Sequence, residues 1–187
     1  MVGLGRTPAR FGIIGVESAD PVLSLVSALG LGQVAGTALV VDLCRDLSID
    51  SGRTLADIAV DGPSVEELSP GRSGVGLLAS GPLPLSECAL VIETLAAAWP
   101  AVVIRCRRGE WDGPTVPVRV LLPGLLRPVV LSPAVWQPVV AGARPSGPGP
   151  TLPRLRGALV RRLLSGRADP RAKWVRAWAP VWGMPWA

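Results

Sequence analysis

Histidine and tyrosine are absent from this chain of 187 residues, and only one of its 19 basic residues is a lysine, Lys173. Without histidine there is no Ser–His or Cys–His nucleophile pair, and no imidazole ligand for a metal. The three cysteines, Cys44, Cys88 and Cys106, are too widely spaced for a zinc motif and odd in number. The sequence therefore predicts no metal site, and a reducing cytoplasm as the compartment.

Long apolar runs are also missing, although 49% of the residues are hydrophobic and the mean hydropathy is +0.42. The best candidate for a membrane span, residues 118–131, is interrupted by arginines, prolines and a glycine. A helix needs roughly 20 apolar residues to cross a bilayer. Short apolar runs alternate instead with helical patterns, which is typical of a parallel sheet whose strands are buried on both faces.

These patterns predict an α/β fold: a mostly parallel sheet flanked by helices, with a helical extension at the C-terminus. Strands are predicted at 11–16, 37–42, 75–79, 101–106, 116–121 and 127–132. Helices are predicted at 21–30, 53–60, 64–69 and 86–98. The predicted organisation is an α/β domain over 1–136, a Pro/Gly-rich linker over 137–153 and a basic, Trp-rich extension over 154–187.

Charge is divided unevenly along the chain. Residues 1–150 hold 11 Arg and 13 acids, whereas residues 151–187 hold eight basic residues and a single acid, Asp169. The net charge of +5 therefore comes from the extension. Leu155, Leu159 and Leu163 recur at helical spacing between arginines, and Trp174 and Trp178 lie one turn apart. Both patterns indicate amphipathic helices.

Three interpretations of this extension stay open. Its leucine and tryptophan stripes can pack on the chain's own sheet, dock onto a partner protein, or bind an anionic membrane surface, with nucleic acid ranked below lipid. The candidate contact residues for a partner or membrane are its basic and tryptophan side chains: Arg154, Arg156, Arg161, Arg162, Lys173, Trp174, Arg176, Trp178 and Trp182.

A second candidate site follows the fourth predicted strand, where Arg105, Arg107 and Arg108 surround Cys106. Ligands of α/β proteins bind at the carboxyl ends of the strands, so these arginines form a candidate anion site. Their charges are also expected to lower the pKa of the Cys106 thiol.

The order of these segments resembles the ParA/MinD group of P-loop ATPases, and within it the CpaE/TadZ-like proteins that position pili. The similar segments, in the order of the family, are 11–30, 39–44, 53–59, 74–82, 102–104 and 126–133. The resemblance implies a P-loop-like fold. The family continues with further strands after this point, so the resemblance implies a shortened sheet whose free edge is covered by a partner.

The departures from the family fall on its catalytic positions. The turn 17–20 (Glu-Ser-Ala-Asp) replaces the loop Lys-Gly-Gly-Val-Gly-Lys-Thr, so both lysines are missing. Cys44 stands at the second Asp of the Asp-x-Asp signature that Asp42 opens, and Arg105 stands at the Walker B acid. Two acids in the turn would repel a triphosphate, and phosphoryl transfer relies on positioned cations and Mg²⁺. The comparison with the family therefore implies loss of ATP hydrolysis and no cofactor.

The expected function is a non-catalytic scaffold or positioning subunit that docks to a protein through its extension. The expected partner is an ATPase of a Tad pilus or secretion assembly, or a homologous ParA/MinD-like subunit, and a homo-oligomer is also open. The alternative is a peripheral adaptor that binds a membrane or nucleic acid through 154–186, at the inner face of the membrane.

Overall fold

The computed structural model describes residues 11–47, 52–68, 74–122, 131–140, 143–145 and 147–186. Within these ranges the strands are β1 (Gly12–Glu17), β2 (Thr37–Asp42), β3 (Gly74–Ala79), β4 (Ala101–Arg105), β5 (Thr115–Leu121) and β6 (Val135–Pro138). The helices are α1 (Pro21–Ala35), α2 (Leu55–Asp61), α3 (Val65–Leu68), α4 (Leu85–Ala96), α5 (Gly157–Leu164) and α6 (Lys173–Arg176). A 3-10 helix, Ala179–Gly183, follows α6.

The six strands form one parallel sheet in the order β3-β2-β4-β1-β5-β6. Helices connect β1 to β2, β2 to β3 and β3 to β4, as parallel pairing requires. β1 lies near the middle, between β4 and β5, so the turn that follows it opens at the centre of the carboxyl edge. The predicted α/β class, a parallel sheet flanked by helices, is confirmed.

Local signals explain where α1 begins and ends. Asp20 caps the helix by accepting a hydrogen bond from the Leu23 amide at 2.7 Å, and Pro21 occupies the first turn, where its missing N–H costs nothing. The helix ends at Gly36, which has a φ of +79° that favours glycine. Its middle turns are buried, because α1 lies between the sheet and the C-terminal extension.

Two hydrophobic cores cover the two faces of the sheet. Strand residues alternate between them: Val40 and Val103 pack with α1 and the extension, whereas Val41 and Ile104 pack with α2 and α4. The central strands are buried on both faces, which is why they are apolar at nearly every position. The result is three layers, with helices on both sides of the sheet.

The C-terminal extension belongs to the first of these cores. Trp178 is fully buried, and its ring meets that of Trp174 edge to face with the centroids 5.6 Å apart. Gly30 of α1 makes room for them, since a Cβ there would lie 2.5 Å from the Trp174 ring. The Trp174 indole donates a 2.7 Å hydrogen bond to Gln137 of β6. The apolar side chains of the extension thus pack on the chain's own domain, as the first of the three interpretations expected.

A proline-rich strap, residues 148–152, covers the outer edge of β6. The carbonyls of Pro148 and Pro150 accept hydrogen bonds of 3.0 and 2.9 Å from the amides of Ala134 and Trp136, and Leu152 donates to the Trp136 carbonyl at 2.8 Å. Proline has no amide proton, so a strand cannot easily add beyond this strap. The sheet edge that was expected to need a partner is thus covered by the chain itself, in a stretch that composition suggested was a linker.

Most predicted elements match the structure within two residues, and the exceptions are α1 and the last strand. The strands predicted at 37–42 and 101–106 correspond to β2 and β4 within one residue, and α1 continues five residues beyond its predicted end. β6 is an addition that the sequence did not predict. The strand predicted at 127–132 lies mostly outside the described residues, and its described end, Leu131 and Ser132, is not in a strand.

Candidate functional site at the carboxyl edge of the sheet

The turn between β1 and α1 lies at the carboxyl edge and presents carboxylates to it. The Asp20 carboxylate accepts the Leu23 amide of the first turn, and the Asp20 amide donates to the Ser18 hydroxyl at 3.3 Å. The N-terminus of a helix at this point of an α/β fold is the usual binding site of a phosphate. Here a side chain of the protein supplies the anion at that position.

Arg105 forms a buried centre beside this turn. It is the last residue of β4, and its Cα pairs in register with Asp42 of β2 on one side and Val16 of β1 on the other. The guanidinium is fully buried, and its Nη1 donates to both Asp42 carboxylate oxygens at 3.0 and 2.9 Å. Because the two residues end adjacent strands, the ion pair follows directly from the strand order.

The other donors of Arg105 are also satisfied. Its Nε donates to the Ser24 hydroxyl at 2.8 Å, and its Nη2 donates to the Pro21 carbonyl at 3.0 Å and to the Asp46 carboxylate. A guanidinium carries five N–H groups, and five acceptor contacts surround this one. The centre therefore joins β4, β2, the first turn of α1 and the loop after β2.

Burial and the partner charges act in opposite directions on the pKa values of Asp42 and Arg105. Burial raises the pKa of Asp42, while the Cys44 amide and the Arg105 guanidinium act in the opposite direction. For Arg105, burial alone would lower the pKa, but the Asp42 charge and the hydrogen bond to Asp46 outweigh it and raise the pKa. Because Arg105 Nη1 donates to both Asp42 carboxylate oxygens, the centre is an ion pair.

This arrangement corrects the prediction that Arg105 belongs to an open anion site. Its side chain has no exposed surface, and carboxylates already neutralise its charge. Arg107 and Arg108 are exposed, as an anion site would require. The Arg107 amide donates to the Glu110 carboxylate at 2.7 Å, and its guanidinium approaches the same carboxylate at 3.8 Å. The three arginines thus do not act together.

The prediction for Cys106 is also wrong. Burial raises the pKa of its thiol to about 12, and the nearby charges of Cys44 and Glu17 act in the same direction. Cys44 behaves in the same way, since burial raises its pKa to about 12 although Arg105 opposes the shift. Both thiols are small buried side chains at the carboxyl edge, and neither is activated as a nucleophile.

A cavity of about 590 Å³ lies in front of this centre. It opens beside the turn after β1 and runs along the outer part of β5. Its lining carries both signs of charge, with Glu17 and Asp46 facing Arg107, Arg108 and Arg119. A phosphate site concentrates positive charge and amide donors, whereas this cavity mixes acids with arginines.

The extension places the predicted contact residues in two different environments. Trp174 and Trp178 are buried, and the half-buried Trp182 donates to the Leu31 carbonyl at 3.2 Å. The predicted role of Trp174 and Trp178 as partner contacts is therefore wrong, because both side chains are already used to pack the extension on α1. The basic side chains are all exposed, namely Arg154, Arg156, Arg161, Arg162, Lys173 and Arg176, together with Arg167 and Arg171.

No helix in the described ranges is long and apolar enough to cross a bilayer. α5 is amphipathic, but its apolar residues Leu159 and Leu163 pack into the core beside α1. The surface that the extension offers to the outside is therefore mainly charged.

Two members of the buried centre were not predicted from the sequence. Asp46 lies in the loop after β2, and Ser24 lies in the first turn of α1. The Ser24 hydroxyl accepts a hydrogen bond from Arg105 Nε at 2.8 Å. The available signal was the charge reversal at Arg105, since a buried cation at the end of a strand requires acids within reach.

Comparison with known proteins shows a likeness in fold. No protein-family model matches the sequence, and no match was found among curated proteins. Among solved structures, a ParA family ATPase from Chlorobium tepidum TLS is similar with a TM-score of 0.63 and 12% sequence identity. The alignment covers 93% of this chain and 99% of that one, so the likeness extends beyond residue 133, where the segments similar to the family end, into the extension. The chain thus has a ParA-like P-loop NTPase fold.

Proposed function

We propose that this protein is a non-catalytic scaffold or positioning subunit with a ParA-like fold that has lost ATP hydrolysis. The observation that carries the proposal is the Arg105 centre. At the end of β4, where the family resemblance places the Walker B acid, a buried guanidinium is paired with Asp42. A cation there repels Mg²⁺, and the carboxylate that remains is already occupied.

The turn after β1 supports the same conclusion. Residues 17–20 contain no lysine and no glycine, and Asp20 caps the helix end that would receive a phosphate. A triphosphate at this position would meet the carboxylates of both Glu17 and Asp20. The positive charge needed to offset that repulsion is absent from the turn.

Docking to a partner protein would use the outside of the extension. We call the eight exposed basic side chains there the basic face: Arg154, Arg156, Arg161, Arg162, Arg167, Arg171, Lys173 and Arg176. Arginine is a common anchor of interfaces, because its planar fork binds carboxylates in a bidentate manner. The specific partner that we propose is an ATPase of a Tad pilus or secretion assembly, in keeping with the CpaE/TadZ-like resemblance.

The test of lost catalysis is phosphate release from Mg²⁺-ATP by the purified chain. We expect release at the level of buffer, and no change in tryptophan fluorescence when ATP is added. Hydrolysis that co-elutes with the 19.4 kDa chain would overturn the proposal if it disappears in an Asp42→Ala variant that keeps the tryptophan emission of the folded chain, but not in the exposed-acid control Asp112→Ala.

The second candidate function is a peripheral adaptor for a membrane or nucleic acid, acting through the same basic face. It is favoured by the single acid, Asp169, among residues 151–187. Co-sedimentation with anionic vesicles and a gel shift with duplex DNA distinguish the two ligands. Strong binding to either, with a steep loss as salt rises, would favour this function over protein docking.

A further inference from the structure

The two helical layers carry opposite charge. The basic face lies on the side of the sheet covered by α1, and residues 151–187 have a net charge of +7. The other side is covered by α2 and α4, in a segment, residues 52–100, that holds six acids and two arginines. We call its exposed acids Asp57, Asp61, Glu66, Glu87 and Glu93 the acidic face. The molecule is therefore polarised through the thickness of the sheet.

The extension that carries the basic face has a single acid, the exposed Asp169, whose carboxylate accepts a hydrogen bond from the Arg171 amide. None of the eight side chains of the basic face takes part in an ion pair with another described residue. Exposed apolar groups lie next to it: Leu164 at the end of α5 is 51% exposed, and Val22 at the start of α1 is 44% exposed. Both residues line an apolar groove of about 620 Å³ that α1 and α5 form with the edge strand β3.

The acidic face has the opposite charge, although one of its acids, Asp61, is paired with Arg53 at 3.6 Å. On α4, Glu87, Leu90 and Glu93 follow each other at three-residue spacing, so the leucine lies between two carboxylates on the helix surface. Leu90 is 68% exposed, and Val60 of the neighbouring helix α2 is 85% exposed. An apolar centre with a charged rim is the usual composition of a protein interface.

We infer that the acidic face of one copy binds the basic face of a second copy. The two faces match in charge, and each presents exposed apolar side chains for the other to cover. They lie on opposite sides of the same sheet, so a pair formed in this way leaves one free face of each kind. Such head-to-tail contact is heterologous and continues into longer assemblies unless a rotation closes it. The inference rests on the proposed function, because it assigns a partner to the same basic face.

The first measurement is the mass of the full chain by sedimentation velocity at several concentrations. We expect the average mass to rise above 19.4 kDa with concentration at low salt. As NaCl is raised from about 0.01 M to about 1 M, the screening length falls from about 30 to about 3 Å. The average mass should therefore return to 19.4 kDa at high salt. A monomer at every low-salt concentration would refute the inference.

Two variants then test the direction of the contact. The first, Arg161→Gln/Arg162→Gln, weakens the basic face. The second, Glu87→Gln/Glu93→Gln, weakens the acidic face. Glutamine has a helix propensity close to that of arginine and glutamate, so both helices should be kept. Neither variant alone should exceed 19.4 kDa, but an equal mixture should form a dimer and nothing larger, because each partner retains one intact face. Arg144→Gln, exposed and outside both faces, should associate like the unmodified chain.

The possible failures can be told apart. If the mixture grows into long assemblies, or if only one variant loses association, the acidic and basic faces are not each other's partners. A monomeric chain that also fails to hydrolyse ATP contradicts this inference and leaves the proposed function intact. A chain that associates as predicted but hydrolyses ATP supports this inference and contradicts the proposed function.

Discussion

Removing the guanidinium of Arg105 should be among the most destabilising single changes in this protein. Arg105→Met keeps a long unbranched side chain and deletes all five hydrogen bonds, including both contacts to Asp42. The Asp42 side chain is 3% exposed, so its carboxylate would stay buried with the Cys44 amide as its remaining donor. Breaking one partner of a buried ion pair costs about 3–5 kcal/mol, a large part of the stability of a domain.

The same reasoning predicts recovery when the second charge is also removed. In Arg105→Met/Asp42→Leu no buried charge is left unpaired, because Asp46 can turn its partly exposed carboxylate to water. Replacing a whole buried pair by apolar groups of similar volume is often close to neutral. We expect the double variant to regain at least about 2 kcal/mol of the loss caused by Arg105→Met alone.

The assay is urea unfolding followed by tryptophan fluorescence, which is sensitive here because Trp174 and Trp178 are buried in the main core. Arg108→Met is the matched control, since Arg108 is exposed and its loss should change stability by no more than about 0.5 kcal/mol. A cost below about 1 kcal/mol for Arg105→Met, or a double variant with fully additive losses, would refute the reasoning.

Three further outcomes are expected. Gly149→Ala should lower stability by at least about 2 kcal/mol in thermal unfolding, because φ is +120° and a Cβ would overlap the Ala134 carbonyl. The control is Gly183→Ala, which has open space around it. Equal effects of the two substitutions would contradict the role of the strap. Trp178→Ala should cost about 3–5 kcal/mol in urea unfolding, whereas a loss as small as that of an exposed residue would mean that the extension does not pack on α1. Stability should fall as pH rises above the ordinary thiol value of 9.0, because the folded state holds the pKa of Cys44 and Cys106 near 12 and the unfolded chain loses those protons first. The folding equilibrium constant should drop by up to about tenfold per pH unit for each thiol, and Cys44→Ala/Cys106→Ala should flatten the dependence of stability on pH. With no tyrosine and one lysine, few other groups titrate in this range. An unchanged slope in the variant would refute the raised pKa of the two thiols.

The parts of the fold that could be predicted are those in which burial alone determines the residue type. β2 and β4 are apolar because both of their faces are covered, and this appears in the sequence as continuous runs. β6 was not predicted because it is short and contains Gln137 and Pro138, and because its pairing with β5 is decided by distant residues. Composition marked 137–153 as a linker, yet proline carbonyls still accept hydrogen bonds. Two proline carbonyls and the Leu152 amide hold the strap on β6.

The candidate site was predictable one residue at a time but not as a unit. Asp42 and Arg105 were each singled out, one as a strand-end acid and the other as a charge reversal, since the sequence does not give the strand order. Once β2 and β4 are neighbours, the two residues stand opposite each other in register. The hydrogen bonds from Arg105 to Ser24 and Asp46 depend on the positions of two loops, and no periodic pattern encodes those.

Under the proposed loss of ATP hydrolysis, the charged residues at this edge take the place of the charges that a nucleotide would bring. A phosphate at the start of α1 would accept amide protons there, and Asp20 now accepts the Leu23 amide. A cation would balance the buried Asp42 carboxylate, and Arg105 now supplies that positive charge from β4. The chain itself thus supplies an anion at the start of α1 and a cation beside Asp42. The proposed scaffold requires this property, since its proposed contacts lie on the two charged faces and not at this edge.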